Sequence, residues 1–190
     1  MSAVVWHVTM SLDGFIAGPD DAMDWVFDYF AERSNDTARE VIETTGAIIM
    51  GRHTYEVEDR YRPGIYGGAW KGPYFVLTHE PPSAIPEWMT GTFITEDIGH
   101  AVARATEAAG GKSVGILGAN VASQCLERSL LDEIVIHLAP VLLGDGVRLF
   151  AVPGGRRVRL APTQVEQTGQ LTDLRFRLSG GDIAEAHGAP

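Results

Sequence analysis

Ala47-Ile48-Ile49-Met50-Gly51-Arg52-His53-Thr54 begins with four consecutive apolar residues, turns on a glycine and continues into residues that a helix accepts. A short uninterrupted apolar run suits a strand covered on both faces, as in a parallel sheet. A glycine directly after such a strand lets the backbone approach a ligand closely. The free N–H groups and dipole of the helix that follows favour phosphate. Arg52 and Thr54 add side-chain donors. Val114-Gly115-Ile116-Leu117-Gly118-Ala119-Asn120-Val121 repeats the same device. Either segment alone reads equally well as a tight turn; two in one chain shift the balance toward a dinucleotide. The G-x-G-x-x-G fingerprint and the phosphate loop ending in Gly-Lys-Ser/Thr are both absent from the sequence, so a dinucleotide site here is of another kind.

Working outward from these segments, Val4 to Met10 reads as a strand, with a turn at Asp13-Gly14 and a short extension over Phe15 to Ala17. Gly18-Pro19-Asp20-Asp21 is a loop by composition. Met23 to Phe30 is too apolar for a free loop and reads as a helix start or the wall of a site. Thr37-Ala38-Arg39-Glu40 fits a capping box, with the helix stopping near Gly46. Arg52 to Arg60 is helical, and Tyr61 to Gly72 is a long surface loop. Tyr74 to Thr78, Thr92 to Thr95, Val114 to Leu117 and Ile134 to Leu138 are strands. Ile98, Ala101, Val102, Ala105 and Ala109 follow helical spacing up to Gly110-Gly111, and Gly118 to Arg128 is a helix. Arg157 to Gln167 and Leu171 to Leu178 form a terminal hairpin around Thr168-Gly169-Gln170. Strands alternating with helices predict an α/β domain over residues 1–178, with a mostly parallel sheet flanked by helices and an antiparallel C-terminal hairpin. Residues 179–190 read as a polar tail.

The 190-residue chain has the length of one domain and 45% hydrophobic residues, enough for a full core. No apolar run approaches a membrane span and the N-terminus lacks the pattern of a signal peptide, so the expected location is the cytoplasm. A net charge of −10 disfavours a nucleic-acid partner. Cys125 is the single cysteine, which excludes an internal disulfide; it reads as a small buried core residue. His7, His100, His137 and His187 show no ligand spacing and read as structural or surface residues, and no metal site is expected. Asp24 and Asp28 are four apart and share a helical face beside Trp25, which is either a solvated face or the wall of a pocket. Asp13, before a glycine, is first a turn residue.

Three stretches carry a family resemblance. Ile48-Ile49-Met50-Gly51-Arg52-His53-Thr54-Tyr55-Glu56 resembles the V-I-M-G-R-H-T-W-E run of bacterial dihydrofolate reductases. Ser11-Leu12-Asp13-Gly14-Phe15-Ile16-Ala17 and Leu138-Ala139-Pro140-Val141-Leu142-Leu143-Gly144-Asp145-Gly146 resemble segments of the reductase domain of riboflavin biosynthesis, the RibD C-terminal domain. The matches keep family order over about residues 3 to 178. They imply a dihydrofolate reductase-like fold that binds NADPH across the strand ends. Gly51, Arg52, His53 and Thr54 would hold phosphates, and Leu77, Thr78 and His79 would lie near the adenosine. Leu117, Gly118, Ala119, Asn120 and Val121 would lie under the diphosphate and nicotinamide. Ile16 and Ala17 would line the nicotinamide pocket, with Asp13 and Trp25 on the substrate side. The carboxylates that dihydrofolate reductases and riboflavin reductases place at their substrates fall on Phe30 and Leu117 here. Asp28 or Asp24 is therefore the expected acid. The implied substrate is a small pterin-like or aminopyrimidine-like heterocycle, and the implied label is 5-amino-6-(5-phosphoribosylamino)uracil reductase. The alternative is a non-catalytic nucleotide-binding protein on the same fold. A homodimer is expected, with the strand Ile134 to Leu138 and the run Val141-Leu142-Leu143 as its surface.

Overall fold

The computed structural model describes residues 2–30, 35–60, 64–83, 90–153 and 155–178. The 179–190 tail, with His187, lies outside the described residues. The chain forms two compact units, Met1–His7 with Ser34–Leu131, and Val8–Arg33 with Asp132–Pro190. Strand β1 (Val4–Ser11) contributes its first half to the first unit and its second half to the second.

The first unit is a parallel sheet. Besides β1 it holds β3 (Thr45–Gly51), β4 (Tyr74–Leu77), β5 (Thr92–Ile94) and β6 (Ser113–Leu117), in the order β5-β4-β3-β6-β1. Every pairing among them is parallel. Helices α2 (Asp36–Thr44), α3 (Arg52–Arg60), α4 (Ile98–Ala108) and α5 (Ala119–Glu127) all pack against β3. The apolar run predicted this burial: Ala47, Ile48, Ile49 and Met50 are all fully enclosed. Ile98, Ala101, Val102 and Ala105 form the buried face of α4, as their spacing requires.

The second unit is mainly antiparallel. Strand β10 (Leu171–Leu178) lies between β7 (Glu133–Ala139) and β9 (Leu160–Thr168), the last two strands forming the expected hairpin. In the β9–β10 pairing the register shifts: Arg175 faces Gln164 and Phe176 faces Pro162, so Thr163 is the extra residue of a bulge. Strand β9 ends the strand order and is exposed over most of its length. Strand β2 (Phe15–Ala17) pairs with β8 (Val147–Arg148), a two-residue strand absent from the sequence reading. Helix α1 (Asp24–Phe30) buries none of its residues fully.

Several expectations need correction. Helix α2 starts at Asp36 with Asn35 as its cap, the Asn35 side chain accepting from the Ala38 N–H at 2.8 Å. Asparagine is a strong cap, and Thr37, read as the start of a capping box, is buried inside the first turn. The helix ends at Thr44, before Gly46. Gly46 lies in β3, where a Cβ would collide with the backbone of Ala109. The 61–72 surface loop contains a 3-10 turn, Ile65–Gly68, whose Ile65 joins the core cluster of Ile48, Met50, Val76 and Leu117. Ile134 to Leu138 offers no free surface for a partner, because β7 pairs with β10 and Ile134, Val135, Ile136 and His137 are buried.

Candidate functional site

In the first unit the two strand–glycine–helix steps lie side by side. Met50 pairs with Leu117 and Gly51 with Leu77, so three predicted segments reach the carboxyl end of adjacent parallel strands together. That end is where open α/β sheets bind ligands. A Cβ on Gly51 would meet Val121 Cγ2 at 3.5 Å, and one on Gly118 would overlap Thr54 Oγ1, so each step packs on the helix of the other. Gly118 has φ +87° and, having no side chain, supplies no side-chain cap to α5.

Arg52 stands between the first step and the end of β4. Its Nε donates to Glu56 Oε1 at 2.8 Å and its Nη1 to the Glu80 carbonyl at 3.0 Å. Thr78, 9% exposed, holds the same turn: its hydroxyl donates to the Glu80 carbonyl and accepts from the Glu80 N–H. The Arg52–Glu56 pair is about half exposed on both sides, so it restrains the guanidinium weakly. Leu117 and Val121 are buried, whereas His53, His79 and Asn120 are exposed. The Asn120 side chain accepts from Gln124 within its own helix at 2.8 Å.

In the second unit Asp13 forms a clasp. Its Oδ1 accepts from the Ser11 hydroxyl at 2.6 Å and from the Leu143 N–H at 3.1 Å, and its Oδ2 accepts from the Gly144 N–H at 2.7 Å. The Ser11 hydroxyl first, then the two amides, hold the carboxyl at about 2 against an ordinary 3.8. Leu12 N–H donates to the Val141 carbonyl, and Gly146 passes too close to the Ala17 carbonyl to carry a Cβ. The two riboflavin-reductase-like segments thus fasten to each other, and this holds Ile16 and Ala17 in β2, each 7% exposed. Trp25 donates its Nε1–H to the Ala22 carbonyl at 3.2 Å, and Asp24 and Asp28 are exposed on α1.

Two groupings escaped the sequence reading. His137, expected to be structural or superficial, is 1% exposed and bonds Asp173 at 2.5 Å across the β7–β10 register. Asp173 also accepts from the Thr168 hydroxyl, and the Phe30 ring meets His137 edge-on at 5.5 Å. His7, 6% exposed, has its Nδ1 2.8 Å from the Tyr66 hydroxyl. A histidine among the apolar residues of a strand was the available signal in both cases; its partner was not visible. Among the described residues no cluster of three or more His, Cys, Asp or Glu is arranged to hold a metal ion, and no helix is long and apolar enough to cross a membrane.

The family model described as RibD C-terminal domain matches residues 2–173. The uncharacterized protein YwjB of Bacillus subtilis strain 168 is 30% identical over 178 residues, covering 90% of this chain and 95% of its own. A crystal structure of a Shewanella sp. PV-4 protein provisionally assigned to riboflavin biosynthesis superposes with a TM-score of 0.79 at 24% identity, over 93% of this chain and 99% of that one. The deaminase/5-amino-6-(5-phosphoribosylamino)uracil reductase of Thermotoga maritima gives a TM-score of 0.65 at 15% identity, over 94% of this chain and 57% of its own.

Proposed function

The chain belongs to the RibD C-terminal domain family, and from that premise we propose that it is an NADPH-dependent reductase of a flat nitrogen heterocycle, pterin-like or aminopyrimidine-like. The observation that carries this reading is the pair of glycine steps on neighbouring parallel strands with Arg52 beside them. The donor set fits a dinucleotide phosphate group: the α5 start lacks a side-chain cap, Arg52 is exposed beside it with its guanidinium on Glu56 and the Glu80 carbonyl, and Thr54 lies at the junction of the two steps. Bound NADPH would supply a hydride. Gly51, Arg52, His53, Thr54, Ala119 and Asn120 would hold its phosphates. Leu77, Thr78 and His79 would lie near its adenosine. Leu117, Gly118 and Val121 would support the nicotinamide side. Trp25 would shape the substrate wall. Asp13, with both oxygens on protein donors, would set the position of that wall. Asp24 and Asp28 are candidates from the sequence for the acid; both stand in solvent on α1.

The phenylalanine at 30 and the leucine at 117 place no acceptor where dihydrofolate reductases and riboflavin reductases use one. Poor turnover of dihydrofolate and of the riboflavin precursor is therefore expected, since sites built on such pairs discriminate by orders of magnitude. The test follows NADPH absorbance against a panel of dihydropterins and aminopyrimidinediones, alongside calorimetry with NADPH alone. NADPH binding with turnover of a panel member supports the reading. Failure to bind NADPH overturns it, and binding without turnover of any member favours a nucleotide-binding protein that is not an enzyme.

A further inference from the structure

The sequence contains two Asp-Gly pairs, Asp13-Gly14 and Asp145-Gly146, and the fold treats them in opposite ways. Such a pair can react with itself. The main-chain nitrogen of the glycine attacks the side-chain carbonyl carbon of the aspartate, and glycine has no side chain to shield it. At Asp13-Gly14 both partners of that reaction are engaged elsewhere. The Gly14 N–H donates to the Ser11 carbonyl at 3.0 Å. The Asp13 carboxyl accepts from the Ser11 hydroxyl and from the Leu143 and Gly144 N–H groups. These donors hold it ionised down to about 2, and an ionised carboxyl has no hydroxyl group to lose as water.

At Asp145-Gly146 the two partners are turned on each other. The Gly146 N–H donates to Asp145 Oδ1 at 2.7 Å, so the nucleophilic nitrogen rests against the carboxyl group it would attack. Among the described residues no other donor holds that carboxyl, and Asp145 is exposed to solvent. The fold also fixes the glycine. Gly146 has a φ of +129°, and the place its Cβ would take is filled by the Ala17 carbonyl and by Gly18. The reactive pair therefore persists because position 146 accepts only glycine.

We propose that Asp145-Gly146 is a site of spontaneous isoaspartate formation in the folded chain, and that the product loosens the pairing of β8 with β2. The Gly146 nitrogen forms a bond to Asp145 Cγ. The Cγ–O bond of the protonated carboxyl breaks, and its hydroxyl leaves with the amide proton as water, which closes a succinimide ring. Water then adds to the ring carbonyl that belonged to the main chain. The bond from that carbonyl to the Gly146 nitrogen breaks, the nitrogen regains a proton, and the chain now runs through the Asp145 side chain. Addition of water at the other carbonyl restores aspartate. One water leaves and one returns, so mass is unchanged and nothing is oxidised or reduced. The main chain gains one methylene just before Val147, the register partner of Ala17. Gly146 has no room for an added carbon against Ala17 and Gly18, so the lengthened chain shifts and carries the two-residue β8 away from β2.

The test ages the unaltered chain in warm, mildly acidic buffer, with a parallel sample unfolded in concentrated urea. Peptide mapping by electron-transfer mass spectrometry, which tells the two linkages apart, follows isoaspartate at each position. In the folded chain isoaspartate is expected to accumulate at 145 at least about ten times faster than at 13, where three hydrogen bonds to a charged carboxyl must open first. In urea, with that local protection gone, the two positions are expected to react within about threefold of each other. A folded-chain ratio below about tenfold overturns the proposal, and so does a tenfold ratio that persists in urea, because the contrast would then belong to local sequence and not to the fold. The loosening of β8 is read from melting curves. Aged wild type is expected to melt below fresh wild type, whereas Asp145→Glu, whose longer side chain closes such a ring far more slowly, is expected to melt alike fresh and aged. Aged wild type that carries isoaspartate at 145 and melts as the fresh protein does overturns that part. The mapping uses no variant, so it decides even if Asp145→Glu does not fold.

Discussion

The Gly118 backbone and the Thr54 hydroxyl occupy the same small space: a Cβ on Gly118 would overlap Thr54 Oγ1. This glycine is required by the fold twice over, by its φ of +87° and by its neighbour. Its absence of side chain is thus explained before any ligand is considered, and cofactor binding by a Gly118 variant tests the fold as much as the site. Gly51 is different, because a Cβ there would make an ordinary contact with Val121 at 3.5 Å.

Gly118→Ala should lower the unfolding free energy by about 2 kcal/mol or more, since the left-handed backbone alone costs an L-residue roughly 1–2 kcal/mol. Adding Thr54→Ala should recover the overlap part and leave the backbone part. Urea unfolding of the two single variants and the double variant measures this coupling. Additive losses would mean that the Thr54 side chain simply moves aside.

Arg52→Ala should raise the NADPH dissociation constant about tenfold or more, whereas Glu56→Gln should leave it equal or tighter. The exposed pair with Glu56 is worth about 0–1 kcal/mol, against roughly 1.5–3 kcal/mol for a hydrogen bond to a charged phosphate, so phosphate wins the guanidinium. Calorimetry giving wild-type affinity for Arg52→Ala would remove this residue from the site.

The Asp13 clasp should weaken in acid. Its carboxyl titrates lower in the folded chain, at about 2, than its ordinary 3.8, so the stabilisation is complete above about pH 4 and is lost as the pH falls toward 2. Asp13→Asn should therefore melt earlier than wild type at pH 6, and the gap should close by pH 2. Melting curves across that range check it; a gap independent of pH would assign the effect to packing.

Two chains should pair through the tips of the clasped segments. Leu12 and Leu142 are 62% and 69% exposed, and the Leu12 N–H bond to the Val141 carbonyl sets these tips next to each other. Light scattering at micromolar concentration should give twice the 20.5 kDa chain mass, and a Leu12→Glu, Leu142→Glu variant should give the single mass. A wild-type mass of about 20 kDa would refute the pairing.

The parallel strands and their glycine turns were legible in the sequence because each is a local event, an apolar run with a breaker at its end. Helix α2 shows the limit of such reading: Asn35 and Thr37 both have capping chemistry, and the choice fell to Asn35 because Thr37 is needed in the core. The two-residue β8 carries no periodicity of its own and exists because Arg148 and Val147 meet Phe15 and Ala17. The cofactor-side residues were recognisable as two similar motifs, but their adjacency is a property of the strand order. The least legible features join distant residues. His7 and Tyr66 are 59 positions apart, and nothing local marks Tyr66 as the tyrosine of a turn otherwise written in glycine.

Strand β9 ends its sheet with a long, largely exposed run that includes Val165 at 63% exposure, a surface on which another chain could grow by strand addition. Pro162 removes one backbone donor from that run, and the bulge at Thr163 twists the strand beside it, the Thr163 hydroxyl fastening the bulge to the Arg175 carbonyl. Proline and bulges are devices that hinder strand addition at a sheet edge. Straightening it with Pro162→Val would leave the folded unit intact and make concentrated solutions turn turbid with strand-paired aggregates.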